Sequence, residues 1–177
     1  MSTESDAYAK HQNLKLAAKD LGIPWQTLYV RLRKQGVSVT GNKSRYGGAS
    51  DKLASHAESI FQGLVPCAKD MNLEKWQSKY DFTAGTQRVD VKASRKNRQS
   101  KRSEAMRWSF LFSKQAYECD FFCCFCLGEA DKVEHVLLVP QDVVGAMQTM
   151  SVSCTSLSKW MDFEVKPHEL AAFFDAL

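Results

Sequence analysis

Apolar residues recur along this chain in two rhythms, one helical and one stranded. Near the N-terminus, Leu14, Ala17, Ala18 and Leu21 fall three and four positions apart and predict a short helix. Gly22 breaks the run as a helix C-terminal glycine does, and Pro24 suits the first turn of a second helix. Leu28 and Leu32 mark the inner face of that helix, and Gly36 stops it. Residues 1–9 are polar and are expected to fray. The helical rhythm returns in Leu53, Ala57, Ile60, Phe61 and Leu64, within an amphipathic helix predicted over 51–72.

Beyond it the rhythm shortens. Residues 80–84 and 87–92 are two short runs that predict strands, separated by Gly85-Thr86, a pair suited to a two-residue II′ hairpin loop. Residues 106–112 (MRWSFLF) are rich in strand formers. Residues 119–127 (CDFFCCFCL) are nearly all apolar and predict a strand buried on both faces. Residues 133–140 predict a further strand, paired to the last through a turn at 128–131. A short helix or turn is expected over 115–118. Trp160, Met161 and Phe163, followed by a helix opening near Pro167 with Leu170, Phe173 and Phe174, predict a C-terminal segment that packs on the sheet.

The hairpin concentrates charge. With a loop at Gly85-Thr86, residues facing each other across it sum to 171, which sets Asp81 opposite Asp90. Asp90 and Lys92 are two apart and share a strand face. Two carboxylates and an ammonium therefore share one patch. Facing carboxylates destabilise a strand pair, and a hard divalent ion offsets that repulsion.

Composition bounds the rest. The chain has 177 residues, 44% hydrophobic and 25% charged, as in an ordinary globular protein. Six cysteines without a signal-peptide pattern predict free thiols in a reducing, cytoplasmic compartment. Four of them, Cys119, Cys123, Cys124 and Cys126, lie among phenylalanines and read as core rather than as a zinc knuckle. No apolar run is long enough to span a membrane. The net charge of +4 hides an asymmetry: residues 1–106 hold 19 Lys/Arg against 10 Asp/Glu, and residues 107–177 hold 5 against 10. A basic half predicts a polyanionic partner, most simply nucleic acid.

The two N-terminal helices with their Gly-containing turn follow the helix-turn-helix pattern. The second helix of such a unit enters the major groove, which makes Trp25, Gln26, Thr27, Tyr29, Arg31 and Arg33 candidate DNA contacts. Residues 39–50 read as a Gly/Ser/Asn-rich linker, with Lys43 and Arg45 placed to track a DNA backbone. Residues 94–103 (SRKNRQSKRS) hold Arg95, Lys96, Arg98, Lys101 and Arg102 without an acid, and predict a solvated loop that orders on phosphates.

The order of a helix carrying Glu58, a strand with Asp81, a strand with Asp90-Val-Lys92 and then apolar strands resembles the PD-(D/E)XK nuclease superfamily. The likeness covers roughly residues 54–140 and is nearest to small phage and intron-associated members. Tyr80 stands where many members have proline. The resemblance implies an α/β fold: a restriction-endonuclease-like mixed sheet flanked by helices over 51–177, preceded by a small all-α helix-turn-helix over 1–38. It implies a DNA endonuclease, site-specific and of homing or phage type, dependent on Mg²⁺ or Mn²⁺, acting on double-stranded DNA as a homodimer or higher homo-oligomer in a bacterial or phage-infected cell. It also implies that Asp81, Asp90 and Glu58 hold the metal and that Lys92 completes the catalytic set, with Glu74 and His56 as substitutes for Glu58. The competing reading is a non-catalytic DNA-binding protein, a repressor or phage counter-defence factor, on the same scaffold. An RNA-acting nuclease is a third reading, less suited to a groove-reading helix.

Overall fold

The computed structural model describes residues 3–37, 39, 47–74, 78–98, 100, 104–112, 118–154 and 158–177. The chain divides into two compact units, Met1–Lys52 and Leu53–Leu177. Most of the expected linker, and the helix or turn expected over 115–118 apart from Glu118, lie outside the described residues.

The first unit is helical: α1 (Thr3–His11), α2 (Leu14–Asp20) and α3 (Trp25–Lys34). Asn13 caps α2 by accepting from the Leu16 N–H at 3.0 Å. Both α2 and α3 end in Schellman motifs, in which a glycine adopts a positive φ that a side chain would resist. At the first, Gly22 (φ +66°) lets Ile23 N–H reach Ala18 O at 3.0 Å. At the second, Gly36 (φ +73°) lets Val37 N–H reach Leu32 O at 2.9 Å. Ala17, Ala18, Leu28 and Leu32 form the core, so the apolar spacing was a sound guide to both helices. The expectation of a frayed start is corrected. α1 carries Glu4 and Asp6 in its first turn and Lys10 and His11 in its last, which complements the helix dipole. It buries Ala7 in the same core, packs Tyr8 against it, and ties Glu4 to Arg31 on α3 at 2.7 Å.

The second unit is mixed α/β. α4 (Ala49–Leu64) supplies Ala57 and Phe61, both fully buried. It ends eight residues short of the expected boundary at 72, because Pro66 disfavours a helical conformation at Val65. The chain then forms β1 (Lys69–Asp70), α5 (Met71–Glu74), β2 (Phe82–Ala84) and β3 (Gln87–Arg95). β6 (Phe121–Leu127), β7 (Val133–Pro140) and β9 (Glu164–Val165) complete a six-stranded sheet in the order β1-β2-β3-β6-β7-β9. All its neighbours are antiparallel except β3 and β6, which are parallel. A second sheet has the order β4-β5-β8, from β4 (Asn97–Arg98), β5 (Met106–Leu111) and β8 (Thr149–Ser153).

The large sheet has a core on each face. On one, Val89, Val91, Cys123, Phe125, Val136 and Leu138 pack with Ala57 and Phe61 of α4 and with Leu170 and Phe174 of α7 (Leu170–Asp175). On the other, Phe122, Cys124, Cys126, Leu137 and Val139 pack with Trp108 and Phe110 of β5 and Met150 and Val152 of β8. β6 is thus buried on both faces, as its apolar run implies. All six cysteines are free thiols. Burial pushes Cys119 and Cys126 up to about 12, which keeps them protonated and suits them to packing.

The solvated loop expected over 94–103 is corrected for residues 94–98, and residues 99 and 101–103 lie outside the described residues. β3 continues through Arg95, and Asn97–Arg98 pairs with β5. Two of the charges of that stretch have distant partners. Arg95 makes a two-pronged contact with Asp131 at 2.5 and 2.7 Å, and Lys96 meets Glu134 at 2.8 Å, 5.4 Å above the Trp108 ring. Ser94, buried, accepts from the Ser109 N–H at 2.8 Å and links the two sheets. Among the described residues no helix is long and apolar enough to cross a membrane.

Candidate active site

The β2–β3 hairpin has the predicted register: Phe82 pairs with Val89, Thr83 with Arg88 and Ala84 with Gln87. Gly85 has φ +60° and Thr86 does not have a positive φ, as a II′ loop requires. A side chain at Gly85 would also meet Phe174 O at 3.1 Å. The hairpin therefore fixes which residues of β2 and β3 meet, and its open end delivers the two aspartates together.

Asp81 lies one residue before the regular ladder. Its N–H donates to Val89 O at 3.0 Å, and its carboxylate accepts from the Val91 N–H at 2.8 Å. The side chain thus takes a hydrogen bond that strand backbone ordinarily supplies, which holds the carboxylate against β3. Asn72 steadies it from α5, with Nδ2 at 3.4 Å from the other oxygen. Asn72 is itself set by its N–H donating to the Asp70 carboxylate at 2.8 Å. Asn72 is a member of the site that its sequence position does not announce. Its only signal is the Asp-x-Asn spacing of a local side-chain turn.

Asp90, 8% exposed, is one of the two buried polar residues of the described structure, the other being Ser94. Alternation along β3 sends Val89 and Val91 into the α4 core and places Asp90, Lys92 and Ser94 on the face shared with Phe122, Cys124 and Cys126. Lys92 Nζ contacts Asp90 Oδ2 at 2.6 Å. Burial pushes the Asp90 carboxyl up to about 6. Lys92 pulls it the other way, and the neighbouring Asp81 adds to the rise through its charge and a hydrogen bond. For Lys92 burial disfavours the ammonium, but Asp90 and Asp81 more than offset it and raise the group above its ordinary value. The ammonium is therefore retained, and the cluster sets two carboxylates beside one fixed cation.

The remaining expected site residues are distributed differently. Glu58 lies half-buried on α4. Among the described residues no group of three or more His, Cys, Asp or Glu side chains is arranged to hold a metal ion. His56 is exposed, and Glu74 lies outside the side chains described. His135 bonds Glu164 at 2.6 Å and meets the edge of Trp108, a structural position. On α3, Trp25, Gln26, Tyr29, Arg31 and Arg33 are exposed and Thr27 is half-buried. Arg98 is exposed on β4, whereas Arg95 and Lys96 are engaged with acids. Lys43, Arg45, Lys101 and Arg102 lie outside the described residues.

The donor set fits one kind of ion. Two adjacent carboxylate oxygens, without a third acid or a thiolate, suit a hard cation that keeps several of its waters and completes its shell from a phosphate, as Mg²⁺ does. No protein-family model and no curated protein sequence matches this chain, so the reading of the site rests on its own geometry.

Proposed function

We propose that this chain is a divalent-metal-dependent DNA endonuclease of the PD-(D/E)XK kind, with a helix-turn-helix reader at its N-terminus. The observation that carries the proposal is the contact of Asp81, Asp90 and Lys92 at the open end of one hairpin, with Asp90 buried against its own charge preference. Such an arrangement costs stability unless a ligand offsets it, and sites of this sort concentrate where chemistry is done.

In the proposed mechanism Asp81 and Asp90 would hold Mg²⁺ or Mn²⁺, which would supply a Lewis acid for the phosphoryl oxygen and a water of lowered pKa. Asp90 would serve as a carboxylate ligand, its charge offset by the ion rather than by Lys92 alone. Asn72 and the Val91 N–H keep Asp81 oriented as the charge around it changes. Lys92 remains an ammonium and offsets the negative charge that develops on the phosphate as water attacks, an electrostatic role rather than that of a base. α3 brings the substrate by its basic, exposed face, and a homodimer would present two such centres to two strands.

The alternative is a non-catalytic DNA-binding protein on the same scaffold. Supercoiled plasmid incubated with the protein and Mg²⁺ or Mn²⁺ separates the two. Nicking by the parent, absent in Asp90→Ala and Lys92→Ala, supports the nuclease. Intact plasmid, genomic and branched DNA, with DNA binding retained, would transfer the assignment to the scaffold reading.

A further inference from the structure

Helix α3 presents three surfaces with three different fates. Leu28 and Leu32 are fully buried in the helical core. Arg31 is drawn toward α1 by Glu4 at 2.7 Å. Opposite the leucines lie Gln26, Val30, Arg33 and Lys34, all exposed, and Val30 leaves 50% of its surface open. Single exposed apolar residues are common on protein surfaces. Here, however, the valine is bracketed on one face by an amide that both donates and accepts, and by two cations, in a helix without a carboxylate.

A partner that satisfies this face must offer three features within about one helical turn. It needs a methyl-sized apolar spot, a neighbouring edge that pairs a donor with an acceptor, and negative charge beyond them. The major groove of B-DNA at A·T pairs has all three, in the thymine methyl, the adenine N6/N7 edge and the phosphates. The spacing is compatible: side chains at i and i+4 sit about 5–6 Å apart, which reaches across one to two base steps of about 3.4 Å.

We propose that Gln26 and Val30 read neighbouring A·T pairs, with Gln26 on an adenine edge and Val30 against a thymine methyl, while Arg33 and Lys34 hold phosphates. Arg31 is excluded from base reading because it faces α1. The proposal rests on the DNA-binding part of the proposed function and adds what the helix selects.

The test uses the full chain in EDTA, so that binding is read without cutting. A duplex pool with a randomised centre is selected for binding, and the winning duplex is remade with deoxyuridine replacing each thymine in turn. Uracil pairs as thymine does and lacks only the methyl. The expected result is a selected site containing adjacent A·T pairs, at which one or two replacements weaken the parent about fourfold, the value of one buried carbon. Val30→Ser should bind thymine and uracil duplexes equally, and Gln26→Ala should lose about tenfold in preference for the neighbouring adenine. Both residues are exposed, and an unchanged helical melting curve would show that the variants fold. Sequence-specific binding without any response to uracil would overturn this inference and leave the nuclease reading standing. Failure to bind any duplex at low salt would overturn both. A dimer lost in Val30→Ser, with DNA binding unchanged, would give the face to a second copy and overturn it as well.

Discussion

The stretch 90–96, along and just past strand β3, carries ion pairs at both ends, and they are built on opposite principles. At one end Lys92 meets Asp90 at 2.6 Å, mostly buried, with Asp81 as a surplus acid. At the other, Arg95 meets Asp131 and Lys96 meets Glu134, each cation with its own carboxylate and each open to water. Exposed balanced pairs contribute little to stability and are screened by salt. A buried cluster with excess negative charge is a cost that packing must offset. The first arrangement is poised for an incoming cation and the second is already satisfied. Similar residues thus mark a site at one end and a stitch at the other.

The comparison can be broken in several ways. The largest effect should be on cleavage: Asp90→Ala and Lys92→Ala are each expected to lower plasmid nicking about a hundredfold or more, while Arg95→Ala leaves the rate per bound complex unchanged. Equal losses from all three would erase the distinction between the two ends.

The second effect concerns pH. The Asp90 carboxyl is pushed up to about 6 in the folded protein, against about 3.9 in an unfolded chain. Between those values the folded state holds a proton that the unfolded state has lost, so stability falls as pH rises. The penalty is absent below about pH 4 and complete above about pH 6, where it amounts to about 3 kcal/mol. Asp90→Asn has no such titration. Its stability relative to the parent, from urea unfolding, should therefore climb by about that much between pH 4 and pH 7.5. A difference that stays flat with pH would show that Asp90 is ordinarily solvated.

Next in size is Ser94, midway between the ends. Ser94→Ala removes the acceptor of the Ser109 N–H and should destabilise the protein by about 1–3 kcal/mol in the same assay, since a buried donor is left unpaired. The smallest effect is expected from Lys96→Ala, which should leave the melting temperature within the scatter of surface substitutions. A marked drop would mean that the outer pairs bear more than a stitch does.

The hairpin and the twice-buried strand were legible in the sequence because short-range rules govern them. A two-residue glycine loop leaves one register, and an unbroken apolar run of strand length has few places to go. The end of β3 was not legible, because Arg95 and Lys96 are neutralised by Asp131 and Glu134, which no local pattern connects to them. Helix α1 was missed for a similar reason. Ala7 and Tyr8 are its core contacts, and polar bonds from Glu4, Ser5, Lys10 and His11 secure the rest, too little apolar signal to read in advance. Strand β8 (TMSVS) alternates strictly but carries only two apolar residues, Met150 and Val152, too short a signal to read in advance, and they are buried where it covers β5. At the site itself, the pairing of Asp81, Asp90 and Lys92 followed from register alone. The support from Asn72 needed the fold.

The parallel pairing of β3 with β6 also bears on how fast the molecule assembles. Val89 and Phe121 become neighbours only after the long crossover between them has closed, and closing such loops is slow relative to forming a hairpin. The β2–β3 hairpin can thus form while its carboxylates are still wet, and β6 seals Asp90 in afterwards. Relieving that charge should then act chiefly on the escape from the native state, so that Asp90→Asn slows unfolding more than it speeds folding.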